Sequence, residues 1–309
     1  MKGKVKITLI VLLVMAIGTE VFLRYYFGFC DTVLMREDAH YEYIPQANQQ
    51  RFRFRNHIFY NSLSMRSEEV DTGAVKILGF GDSIINGGVL TDQESLATTI
   101  LTDTLSKIRN RRVQFLNIAA GSWGPDNCYE YMKQHGDFNA RHIYLFVSSH
   151  DAYDNMDFQK IVGVSESFPD QQYPFALMEL MDRYLLPRLG FTNEHEGNDV
   201  GSLGIDKKQN DSKFNPGFES FLNYTQSHQI ALTIYLHAEY SELEAGEYNE
   251  QGKEIISFAE KNNIQLIKEL DSNFEAGDYR DFIHLNESGQ RKMASLILKN
   301  EIEANTSVN

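Results

Sequence analysis

This chain is poor in cysteine and has no basic stripe, and each shortage removes a class of function. Its two cysteines, Cys30 and Cys128, cannot build a disulfide framework, and no Cys-x-x-Cys pair or zinc-ligand spacing occurs. One bridge between them is open; the simpler alternative is two independent thiols, with Cys128 packed on a helix. Basic residues number 29 against 43 acidic ones, for a formal net charge of −14. Such a surface repels phosphate backbones, which argues against nucleic acid and favours neutral or acylated small groups as partners. No internal repeat or long low-complexity tract is present. A content of 42% hydrophobic and 12% aromatic residues fits a folded domain rather than a disordered tail. No cofactor is expected, and nothing in the sequence sets the oligomeric state.

The N-terminus carries a targeting segment. Lys2, Lys4 and Lys6 precede an apolar stretch from Ile7 to Leu23, broken only at Gly18, Thr19 and Glu20. The lysines place residues 1–6 in the cytoplasm, 7–23 across a membrane, and the rest in the periplasm or outside the cell. A cleavable signal peptide is the competing expectation, because Ala16-Ile17-Gly18 offers a small-x-small site; the domain would then be secreted. Apolar residues resume at Val21-Phe22-Leu23, and Tyr25-Tyr26-Phe27 stands where an interfacial belt would, which favours an anchor. Cys30 follows Phe27-Gly28-Phe29 instead of a lipobox, so a lipoprotein is not indicated.

Residues 24–72 lack helical periodicity, and Arg51-Phe52-Arg53-Phe54-Arg55 alternates like a strand. We expect a membrane-proximal stalk with a small β element, its arginine face solvated or against anionic headgroups. From residue 73 to about 305, apolar runs alternate with helical patterns, the signature of a parallel α/β sheet. Five strands are predicted: Val75–Phe80, Val113–Ile118, His142–Val147, Ile230–Leu236 and Ile264–Ile267. Leu96, Ile100, Leu101, Leu105 and Ile108 mark a helix between the first two. Asn215-Pro216 and Asn286 read as helix starts. About 156–213 is an insertion, with a helix from Phe175 to Leu186 stopped by Pro187 and a polar, mobile stretch from Thr192 to Lys213.

The first strand runs into Gly81-Asp82-Ser83-Ile84, a tight turn at the carboxyl edge of the sheet, where open α/β sheets bind ligands. Alone, the triplet is as well explained by capping. At the other end, Asp281-Phe282-Ile283-His284 lies after the last predicted strand. A serine hydroxyl needs a base to become a nucleophile, histidine can be that base, and a carboxylate on its other nitrogen fixes the tautomer. Both motifs fall on strand edges of one sheet.

Taken in order, these motifs resemble the blocks of the SGNH (GDSL-like) hydrolase family, over roughly Val75 to Ile302. The blocks are Gly81-Asp82-Ser83; Asn117-Ile118-Ala119-Ala120-Gly121-Ser122-Trp123-Gly124; Ser148-Ser149-His150-Asp151, in place of the family's Gly-x-Asn-Asp; and Asp281-x-x-His284. The resemblance implies a flavodoxin-like three-layer α/β/α sandwich on a five-stranded parallel sheet. It also implies Ser83 as nucleophile, His284 as base and Asp281 as its orienting acid. The oxyanion donors would be the backbone of Ser83 and of Ser122, with Gly121 one residue earlier, and the side chain of His150. Ser122 replaces a glycine and His150 an asparagine; a neutral imidazole can still donate one N–H if its tautomer points inward.

Trp123, Asp151 and Tyr153 are the candidate substrate-binding residues, with sugar stacking or simple packing both open for the aromatics. His150-Asp151 lacks a third ligand at a recognisable spacing, so no metal is expected. Asn61, Ser62 and Arg66 have no assigned role. The expected activity is hydrolysis of an acyl ester, on a small molecule or on O-acetyl groups of an envelope or exported polysaccharide. The rivals are an O-acyltransferase with the same triad and a catalytically silent carbohydrate-binding module.

Overall fold

The computed structural model describes residues 2–189 and 213–306. Helix α1, Lys2–Phe27, has an 18-residue stretch of mean hydropathy 2.2 with none of it buried. At 26 residues it is about 39 Å long, enough to cross a bilayer.

Two hairpins follow. Strand β1, Met35–Asp38, pairs antiparallel with β2, Glu42–Pro45, and β3, Gln49–Arg53, pairs antiparallel with β4, Asn56–Tyr60. The expected alternation over Arg51–Arg55 stops at Arg53, because Phe54 and Arg55 turn the chain with φ of +48° and +67°. These residues form the expected β element but not a stalk. Tyr41, Tyr43, Ile44 and Met65 are fully buried in the main core. The arginine face is split: Arg55 is exposed beside Tyr26, whereas the other two arginines are engaged. Arg53 is buried against Glu179 and stacks over Phe29 and Phe54, while Arg51 pairs with Asp31.

The central sheet contains β5, Val75–Gly81; β6, Val113–Ala119; β7, His142–Val147; β8, Ala231–Leu236; and β9, Gln265–Lys268. All pairs are parallel, in the order β6-β5-β7-β8-β9. This is the flavodoxin-like order, and each strand lies within two residues of its expected bounds. Strands β5 to β8 read as nearly unbroken apolar runs because helices cover both faces.

On one face, Ala97, Leu101 and Leu105 of α3, Ala97–Arg109, pack with Met293 and Ile297 of α9, Glu287–Thr306. The other face is covered by α4, Pro125–His135, α6, Pro216–His228, and α8, Glu250–Lys261. Asn215 caps α6 through Gly217 N–H, and Asn286 caps α9 through Ser288 and Gly289 N–H. A Cβ at Gly217 would stand 2.2 Å from the Pro125 carbonyl carbon, so only glycine lets α6 touch the start of α4.

Shorter helical pieces join these elements: α2, Ser83–Asn86; α5, Ala176–Leu180; the widened turn Met181–Leu185 that continues α5 towards Pro187; and α7, Tyr240–Ala245. The stretch expected to be mobile, Thr192–Lys213, lies outside the described residues apart from Lys213. Both cysteines are free, with Cys128 buried on α4.

Candidate functional site

Strand β5 is flanked by β6 and β7, so the chain leaving its carboxyl end emerges between the loops that follow its two neighbours, the position at which open α/β sheets place their ligands. The turn into α2 is tight because Gly81 allows it. A Cβ there would meet the Phe146 carbonyl oxygen at 2.9 Å. Asp82 caps α2, its Oδ1 accepting from Ile84 N–H at 2.9 Å, and Ser83 is the first helical residue. The capping role expected of this triplet is thus real, and it coexists with the position of Ser83.

His284 arrives from the loop after β9. Its Nε2 lies 2.9 Å from Ser83 Oγ, and its Nδ1 lies 2.8 Å and 3.0 Å from the two oxygens of Asp281. The loop is held closed on itself: Asp281 Oδ1 also accepts from the N–H of Ile283 (3.0 Å) and of His284 (2.7 Å). Burial alone would raise the Asp281 pKa, but its bonds to the His284 side chain and these amides bring it down to about 2. Beneath the loop, buried His237 lies 2.6 Å from Glu269 through Nδ1 and 2.6 Å from the Ile283 carbonyl through Nε2. Burial opposes its charge, yet the Glu269 carboxylate raises its pKa.

Ser122 follows β6 with φ of +56°, the left-handed conformation that the glycine of the related pattern takes freely. The Tyr43 hydroxyl donates to the carbonyl oxygens of Gly121 (2.9 Å) and Ser122 (3.1 Å), fixing the orientation of this turn.

His150 follows β7. Its Nδ1 is 3.1 Å from Glu239 Oε1, and its Nε2 is 3.8 Å from Asp151 and 4.0 Å from Asp82. Burial would lower its pKa, but the carboxylates of Asp151, Glu239 and Asp82 raise it to about 10. The ring is 34% exposed, which weakens their field without changing its sign. A charged ring would carry protons on both nitrogens, and a neutral one a proton on only one of them.

Trp123 is not available to a sugar. It is 1% exposed, its indole N–H donates to the Tyr43 carbonyl, and Tyr41 and Tyr131 pack against it. Asp151 is also buried. One of its oxygens accepts from Ser148 N–H at 2.7 Å, and the other is buried with no hydrogen-bond partner, 3.8 Å from His150 Nε2. Tyr153 is partly exposed, but its hydroxyl is tied to Glu254 of α8. Asp82, His150 and Asp151 bring possible ligand atoms within 4.8 Å of one another, the one such group among the described residues.

Several residues of the site belong to none of the four motif blocks. Buried Arg66 donates to the carbonyls of Asn86, Gly88 and Thr91, tying the loop behind Ser83. Asn86 bridges that loop to Ala119 and accepts from Tyr60. Asn117, which does lie in the second block, braces the turn through the Ile85 carbonyl. Glu239 follows β8 at the same sheet edge as the blocks, and that position was a usable signal.

No family model matches the chain, and no curated protein matches it in sequence. Solved structures do match. A member of the lipolytic protein G-D-S-L family from Veillonella parvula DSM 2008 is 15% identical over 73% of this chain and 97% of its own, with a TM-score of 0.41. A psychrotrophic esterase from Pseudoalteromonas sp. is 11% identical over 75% of this chain and 98% of its own, with a TM-score of 0.44. A further match is AlinE4, an SGNH-hydrolase family esterase, 13% identical over 75% of this chain and 96% of its own, at a TM-score of 0.38. The likeness is one of fold, and the chemistry rests on this chain's own residues.

Proposed function

We propose that this chain is an exported serine ester hydrolase of the SGNH type. The supporting observation is the continuous line from Ser83 Oγ through the His284 imidazole to Asp281, with bonds of 2.9 and 2.8 Å. Ser83 Oγ attacks the acyl carbonyl while its proton passes to His284 Nε2, and Asp281 stabilises the imidazolium that results. The carbonyl oxygen becomes an oxyanion held by the backbone N–H groups of Ser83 and Ser122, assisted by the His150 cation. As the intermediate collapses, the ester C–O bond breaks and His284 returns the proton to the departing alcohol. Water then attacks the acyl-enzyme, giving its proton to His284, and the acid leaves as Ser83 is restored.

The substrate class is an acyl ester, with O-acetyl groups on an envelope or exported polysaccharide suggested by the export signal. Helix α1 is read as a retained anchor with its N-terminus in the cytoplasm, since Leu23, Glu20 and Arg24 all contact the domain.

Labelling with a serine-directed fluorophosphonate and peptide mapping tests the proposal. Modification of Ser83, and a fall of about 10⁴- to 10⁶-fold in aryl ester turnover in Ser83→Ala, are expected. Unchanged turnover in that variant would remove the proposal.

A further inference from the structure

The last turns of α1 are joined to a second apolar element. Glu20 accepts from the backbone N–H groups of Ala176 at 2.8 Å and Leu177 at 2.9 Å, and Arg24 donates to the Pro174 carbonyl at 2.6 Å. These bonds set the start of α5 at the height of Glu20 on the span. Taking α1 as an anchor, as proposed above, with residues 7–23 as the span, the outer edge falls near Leu23 and the Tyr25-Tyr26-Phe27 belt lies just beyond it. Glu20 then lies about 5 Å inside that edge, and the start of α5 with it, in the glycerol-proximal part of the acyl region. A carboxylate at this depth needs internal partners, and Glu20 has two amides together with Arg24 Nε at 2.6 Å.

The outward side of this element is apolar. Phe175, Met178, Met181, Leu185 and Leu189 are 61%, 47%, 43%, 38% and 64% exposed. They recur every three or four residues from extended Phe175 through α5, the widened turn and the last turn at Pro187–Leu189, with Arg188 the one exposed charged residue among them. Ala176, Leu177, Leu180 and Tyr184 instead pack with Leu23 and Phe29. The neighbouring Phe22, Tyr25 and Tyr26 of α1 are also exposed, so the stripe continues the apolar surface of the span. In water a contiguous patch of this kind is a liability; at this depth it meets lipid.

We propose that Phe175–Leu189 lies in the outer leaflet beside α1 with its apolar stripe against acyl chains, so that the domain is seated on the bilayer by two elements.

The full chain in phosphatidylcholine–phosphatidylglycerol nanodiscs, with lipids brominated at defined acyl positions, tests this through tryptophan quenching. Native Trp123 is buried and supplies a constant background. Phe175→Trp and Leu185→Trp should be quenched most by bromines near the glycerol end, and Val14→Trp, within the span, most by deep bromines. Quenching of Val14→Trp with Phe175→Trp and Leu185→Trp at background would overturn the interfacial element and leave the anchor standing. Quenching at none of the three would overturn both.

Discussion

His150 stands where the related pattern has an asparagine, and its surroundings make a specific prediction. If His150 donates to the oxyanion as proposed, its truncation in His150→Ala costs about 10²- to 10³-fold in kcat, or about 3–4 kcal/mol of transition-state stabilisation. The cost should fall near the upper end, because a charged donor bonds an oxyanion roughly twice as strongly as a neutral one. Stability should change far less. The His150–Glu239 pair is 34% and 23% exposed, and an ion pair so open to water contributes about 1 kcal/mol at most. His150→Asn should recover most of the rate, since its amide can donate where the imidazolium did.

The pH dependence has a definite sign. The His150 pKa is raised, to about 10, so the charge and the stability it contributes are fully present below the ordinary value of about 6.5 and disappear as pH rises through 10. Arg280, which burial lowers to about 10, titrates in the same window in both proteins. An alkaline fall in kcat/KM that is deeper in wild type than in His150→Asn therefore isolates the imidazole. Steady-state kinetics on an aryl acetate, with thermal melts in parallel, provide the assay. A His150→Ala enzyme within a few-fold of wild-type kcat would refute this reasoning.

Three further outcomes are expected. Asp281 has its pKa depressed to about 2, so it contributes about 2 kcal/mol above pH 5 that is lost as pH falls through 2; the stability gap between wild type and Asp281→Asn, measured by urea unfolding, should close over that window. Arg53→Met leaves Glu179 buried without its main cation and should cost about 3 kcal/mol, read in the same unfolding experiment, with ester turnover changed far less. Exhaustive dialysis against EDTA should leave kcat/KM unchanged, because the proposed Ser83–His284–Asp281 mechanism routes no step through a metal; loss of activity restored by zinc would point instead to an ion held by Asp82, His150 and Asp151.

The central sheet and the Ser83–His284–Asp281 line were legible because their signals are local. Buried parallel strands are continuous apolar runs, and each motif sits directly at a strand's carboxyl end. What was not legible depends on partners distant in the chain. Trp123 reads as a site-loop aromatic equally open to sugar stacking or packing until Tyr41 and Tyr43, from the supposed stalk, close over it. Arg53 reads as one charge of a solvated strand face until Glu179 arrives from the insertion. The charge on His150 likewise depends on Glu239, which follows a different strand and belongs to no motif block. Composition and periodicity carry no information about such pairs, since burial and charge state are decided only once the elements pack.

The same long-range contacts give residues 24–72 a role that a stalk could not have. From α1, the chain reaches β3 and β4, where Tyr60 bonds Asn86, Asn56 bonds the Val89 carbonyl, and His57 N–H bonds Asp92. Arg66 then grips the Asn86, Gly88 and Thr91 carbonyls. Asn86 is the last residue of the helix that begins with Ser83. A bonded path therefore runs from α1 to the proposed nucleophile through packed side chains rather than a flexible tether. With α1 in a bilayer, that path would hold the mouth of the site at a set height and tilt above the lipid. An ester would have to be presented there, which a polymer lying along an envelope can do without the enzyme leaving the surface.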